Sequence, residues 1–128
     1  MSGENINLTS AEWNVMECLW TKSPQTAMRL VAQLQRQVGW AKSTTMTMLT
    51  RMEKKGLLLC PGSEKPRHYT PAVRREDAVR QETKSFVRRV FRGSVGMMMS
   101  SLVEQQELTK EEIDQLYAVL KKAEEAER

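Results

Sequence analysis

Nitrogen and sulfur ligands are scarce in this chain of 128 residues: one histidine, His68, and two cysteines, Cys18 and Cys60, far apart and in no paired motif. That scarcity argues against the usual zinc and iron–sulfur arrangements, so no metal and no cofactor is expected. The front of the chain also lacks clustered carboxylates and a glycine-rich phosphate loop. With a single histidine besides, no convincing catalytic set can be assembled, and an enzyme is not expected. Long apolar runs are missing too, and the opening MSGENINLTS has no basic segment followed by an apolar one. Membrane insertion is therefore not expected, and the unpaired cysteines read as reduced core thiols of a cytoplasmic protein.

What is present is a moderate basic excess, +4 overall, that is unevenly placed. From Lys22 to Arg67 the cations are opposed only by Glu53 and Glu64, whereas from Ser94 onward carboxylates outnumber cations two to one. A basic front and an acidic rear suggest that the front meets a polyanion. A chain this long can bury one modest core and carry a smaller extension.

Helix punctuation is plentiful. Leu8, Thr9, Glu12 and Trp13 make a capping box with a hydrophobic staple, which predicts a helix from about Ser10 to Trp20. Ser23 and Pro24 break it, and Thr21–Gln25 reads as a turn. Ala27, Leu30, Val31, Leu34 and Val38 then recur at helical spacing, with Gly39 as the stop. After Trp40, Ser43 is the expected N-cap of a third helix running to Lys55, before Gly56, with Thr45, Met48, Leu49 and Met52 facing inward. Leu57–Cys60 and Arg67–Thr70 read as two strands of a hairpin with a basic tip.

Beyond Pro71 the pattern is helical again. Glu76–Arg92 carries Val79, Thr83, Phe86, Val87 and Val90 on one side and stops at Gly93; Ser94 caps a further helix; Leu108, Thr109, Glu112 and Ile113 repeat the opening signature before the last. These short apolar stripes exceed what the small front domain can bury, which predicts a homodimer. The expected fold is mainly α: a winged helix-turn-helix over residues 1–73, three helices plus a small hairpin, followed by a helical dimerisation domain over 74–128. The expected dimer contacts are Phe86, Val90, Met98, Leu102, Ile113, Leu116, Tyr117 and Leu120.

The third helix contains Thr44, Thr45, Thr47 and Thr50, although each threonine costs about half a kcal/mol against alanine in a helix interior. Helix stability does not explain that choice. Threonine hydroxyls can bond phosphates and base edges, and their methyls can touch thymine methyls. The reading assigns Met46 and Thr47 to base edges and Ser43 and Thr44 to a phosphate at the helix N-terminus, with Thr50 on the same DNA-binding face. Lys42, Arg51 and Lys54 would grip the DNA backbone, and Lys65 and Arg67 of the hairpin would reach the neighbouring phosphates or the minor groove. The alternative is a winged-helix protein-interaction module without operator recognition, whose third helix would present an apolar face instead. Trp13, Trp20 and Trp40 read as packing residues rather than a stacking platform.

The segments LTSAEWNVMECLW, Leu8 to Trp20, and WAKSTTMTMLTRMEKKG, Trp40 to Gly56, resemble the penicillinase-repressor (BlaI/MecI/CopY) family, as do Tyr69 and LVEQQELTKEEIDQL near the end. The resemblance implies a winged-helix N-terminal domain, a helical dimerisation domain, and repression at a palindromic double-stranded DNA operator. It places Ser43, Thr44, Met46, Thr47 and Arg51 near DNA. Many relatives have lysine at the position of Ser43 and arginine at that of Met46, so a direct guanine contact at Met46 is not expected. The copper-responsive branch carries Cys-x-Cys pairs where this chain ends KKAEEAER, so copper sensing through them is not expected. The beta-lactam-responsive branch is inactivated by a membrane-sensor protease cutting an Asn-Phe bond; alignment on LVEQQEL places the corresponding bond at Ser101–Leu102.

Overall fold

A computed structural model describes residues 6–127. Its elements run α1 (Ser10–Thr21), β1 (Gln25–Thr26), α2 (Ala27–Val38), α3 (Lys42–Lys54), β2 (Leu58–Leu59), β3 (His68–Pro71), α4 (Arg75–Phe91), α5 (Val95–Glu104) and α6 (Lys110–Ala126). The chain divides into two compact units, the first reaching Thr83 and the second beginning at Lys84. No helix among the described residues is long and apolar enough to cross a membrane.

In the first unit α1, α2 and α3 close around Val15, Met16, Leu19, Leu30, Leu34, Leu49 and Met52, all essentially inaccessible to solvent. Trp13, Trp20 and Trp40 pack against this core, and the Trp20 indole donates to the Val73 carbonyl at 2.9 Å. The sheet has three strands in the order β1-β3-β2, both pairs antiparallel, with Gln25 opposite Tyr69 and Leu59 opposite Thr70. The sequence reading gave only the hairpin, because β1 is two residues long and shows no alternation. Gln25 lies in the stretch taken for a turn; its side chain is buried and donates to the carbonyls of Cys18 and Lys22.

The caps fall largely where the residues place them. Thr9 and Glu12 form the full capping box of α1, Thr109 and Glu112 that of α6, Ser94 caps α5, and Gly39 ends α2 in the left-handed conformation with φ 75°. The third helix is the exception. It begins at Lys42, with Ala41 in the capping position and no side-chain bond, so Ser43 lies inside the first turn and is not the cap. Val38, at the last turn of α2, is 41% exposed rather than buried with its stripe.

Glu12 has a second role that links two helices. Its buried carboxylate holds the Thr9 amide at 2.9 Å and also accepts from the Lys55 ammonium at the end of α3. Burial pushes this carboxyl's pKa up, but the Lys55 and Thr9 bonds outweigh burial, and the net shift is downward. A depressed carboxylate pKa contributes stability that is complete above the ordinary carboxylate range and is lost as pH falls through the folded value. Glu12→Ala is expected to destabilise the fold by about 2 kcal/mol, the cap supplying most and the half-exposed Lys55 partner less. Glu12→Gln should flatten the acid limb of stability against pH. Urea unfolding across an acid series measures both, and an acid limb unchanged in Glu12→Gln would exclude this pair as its source.

The second unit is built differently. Among its described residues Val87 alone is buried, and neither α5 nor α6 buries any residue. Within one chain, Phe86 and Val90 on α4, Val95 and Val103 on α5, and Tyr117 and Leu120 on α6 all stand exposed. Of the expected dimer contacts, Phe86, Val90, Tyr117 and Leu120 are exposed within a single copy, whereas Met98, Leu102, Ile113 and Leu116 are already half-buried by the chain's own packing.

Candidate nucleic-acid interface

Helix α3 separates its residues cleanly by face. Thr45, Leu49 and Met52 are buried against the core, while Lys42, Ser43, Thr44, Met46, Thr47, Thr50, Arg51 and Lys54 are all exposed. The 3.6-residue period dictates this division once the apolar positions face inward. The outward strip is therefore short-chained and polar near its start and cationic towards its end. None of Lys42, Arg51 and Lys54 enters an ion pair among the described residues. The Thr50 hydroxyl donates to the Met46 carbonyl at 3.1 Å, which leaves it lone pairs to offer but no proton.

The start of α3 is open. Ala41 offers no side-chain acceptor, so the Lys42 and Ser43 amides at the helix start have no capping bond, while the Thr44 amide donates to the Ala41 carbonyl at 3.1 Å. An absent N-cap costs about 1 kcal/mol, and the same free amides favour an anion set at the helix end.

The two cations expected from the hairpin differ in situation. Lys65 is exposed and makes no ion pair among the described residues. Arg67 is half-buried, and its guanidinium donates to the Glu53 carboxylate on α3 at 3.1 Å and to the Cys60 carbonyl at 2.9 Å. It clamps the wing to the third helix, so its charge is already partnered. Cys18 lies in the core, where burial pushes its thiol pKa up, as befits an inert packing residue.

Lys42, Met46, Lys65 and Arg67 come together at one place. With Thr26, Ala27, Met28 and Pro66 they line an open hollow of about 420 Å³ between the N-terminus of α2, the first turns of α3 and the wing. The sequence pattern assigns neither Ala27 nor Met28 of α2 to this interface. A signal did exist: Met28 lies off the Ala27, Leu30, Val31, Leu34 stripe and is 56% exposed. Ser101 and Leu102 lie inside α5, both half-buried, and the Ser101 hydroxyl accepts from Gln105 at 3.1 Å.

Three helices closed by a small antiparallel sheet, the third helix exposing a polar and cationic face beside a hairpin wing, define a winged helix-turn-helix protein. The penicillinase-repressor family profile matches residues 8–122, and the chain belongs to that family. It is 30% identical over 122 residues to the methicillin resistance regulatory protein MecI of Staphylococcus aureus strain N315, covering 95% of this chain and 99% of that protein. It is also 30% identical over 113 residues to the penicillinase repressor of Bacillus licheniformis, covering 88% of each. Among solved structures, the DNA binding domain of the repressor BlaI aligns with a TM-score of 0.51 at 29% identity, covering 56% of this chain and 88% of that one. The Bacillus licheniformis BlaI monomeric form in complex with the blaP half-operator aligns with a TM-score of 0.50 at 30% identity, covering 56% and 87%.

Proposed function

We propose that this chain is a dimeric, sequence-specific DNA-binding transcriptional repressor that occupies a palindromic operator. The observation that carries the reading is the exposed strip of α3, with its uncapped N-terminus, unpaired cations and the free wing cation Lys65 on the same unit. Free amides and Lys42 suit a phosphate, Arg51, Lys54 and Lys65 suit the flanking backbone, and Thr44, Met46 and Thr47 are left to meet base edges. The half-operator complex of a relative with the same fold supports DNA binding by this unit. Pairing of two copies through the exposed stripes of α4, α5 and α6 would set two such helices about one helical turn apart and block a promoter sterically. Cutting by a membrane-sensor protease at Ser101–Leu102 would split the pairing region and release the operator. Because that bond lies within α5, cleavage would require local unwinding of the helix.

The reading is tested by footprinting on DNA upstream of the chain's own gene, where protection of a palindrome is expected. Protection of no palindrome, with α3 instead captured by a protein, would favour an interaction module. Thr47→Ala is expected to bind the best operator more weakly and to narrow the gap between operator variants at one base position by about tenfold. Competition gel shifts with single-base operator variants measure that gap.

A further inference from the structure

We propose that the hollow between α2, α3 and the wing receives the 5-methyl group of an operator thymine, with Met28 and Met46 as its walls. The inference rests on the DNA-binding reading above and names what that surface selects. Met28, Met46, Ala27 and Pro66 make much of the lining apolar, and the cations Lys42, Lys65 and Arg67 line it with them. Met28 is 56% exposed and Met46 37%, so two large thioether side chains are left in water in a unit that buries most of its large apolar side chains.

Cations around an apolar hollow complement a ligand that is anionic outside and apolar at one point. Duplex DNA meets that description in the major groove, where thymine presents a methyl group and the other base edges present only donors and acceptors. Methionine has three rotatable bonds and a polarisable sulfur, so a pair of them can close around a small apolar group without a preformed cast. Neither can donate a hydrogen bond, so any selection they exert is for the methyl itself. The volume of about 420 Å³ admits the base edge that carries it.

The test uses the full-length protein and duplexes that it selects from a random-sequence pool. In the best duplex each thymine is replaced in turn by deoxyuridine, which removes only the methyl group, and affinities are measured at fixed salt. Wild type is expected to lose about fourfold at one position in each half-site, the worth of one buried methyl group. The Met28→Ala/Met46→Ala variant should still bind but no longer distinguish thymine from deoxyuridine there. Met28→Leu and Met46→Leu should keep the distinction. Circular dichroism checks the fold of each variant, and each single alanine variant should show a reduced thymine preference if the double one is unfolded. A wild type indifferent to every replacement overturns the methyl pocket and leaves operator binding standing, as does a preference that survives both alanine substitutions. A pool that yields no preferred sequence overturns the DNA-binding reading and this inference together.

Discussion

Tyr117→Asp combined with Leu120→Asp is expected to weaken operator binding by about a hundredfold or more without touching any residue of the first unit. Both side chains are among the most exposed apolar groups on α6, so the charges cost little within one chain. Buried against a second copy, they would each need desolvation and would break the pair. Two linked half-sites bind far more tightly than one, because the second engagement occurs at high effective concentration. Sedimentation should show monomers, gel shifts should show the lost affinity, and the first unit's thermal unfolding should be unchanged. A variant that remains dimeric, or monomers that hold the palindrome as tightly as wild type, would overturn the proposed pairing surface.

The second large effect is expected from Lys42→Ala/Arg51→Ala/Lys54→Ala. Each removed phosphate contact releases fewer counterions, so the slope of log affinity against log salt should shrink by about 2.7 for each α3 engaged. At physiological salt the loss should be on the order of a hundredfold and nearly the same for operator and unrelated DNA. That uniform loss separates these cations from Thr47, whose removal should act on one base position. If the triple variant keeps the wild-type salt slope, the outward face of α3 is not the DNA surface. The three side chains are exposed and make no ion pair among the described residues, so folding should be spared.

Local signals carried much of this architecture. The boxes at Thr9–Glu12 and Thr109–Glu112 and the glycine at 39 act within one or two turns, and residues a few positions apart suffice to reveal them. The outward strip of α3 was legible for a related reason: once Thr45, Leu49 and Met52 are assigned to the core, the remaining positions follow from the helical period. Contacts between distant segments had no such trace. The Glu12–Lys55 pair spans 43 residues and the Arg67–Glu53 pair spans 14, and nothing in either neighbourhood announces its partner. Arg67 was therefore grouped with Lys65 as a free cation, whereas the structure gives it an internal bond. Strand β1 escaped because two residues cannot show a period. Ala78, buried on α4, escaped because its small side chain stands outside the larger apolar stripe.

That clamp from Arg67 to Glu53 and the Cys60 carbonyl fixes the angle between the wing and the third helix before any duplex arrives. Under the proposed function, a duplex whose groove spacing already suits that angle needs no rearrangement of the protein, so little ordering entropy opposes the encounter. A duplex of different groove width must itself bend or twist to fit, and the energy of that deformation depends on base steps the protein never touches. Stiffness between helix and wing thus turns DNA flexibility into a criterion of selection. Operators that differ only at uncontacted steps should then rank by how easily those steps deform.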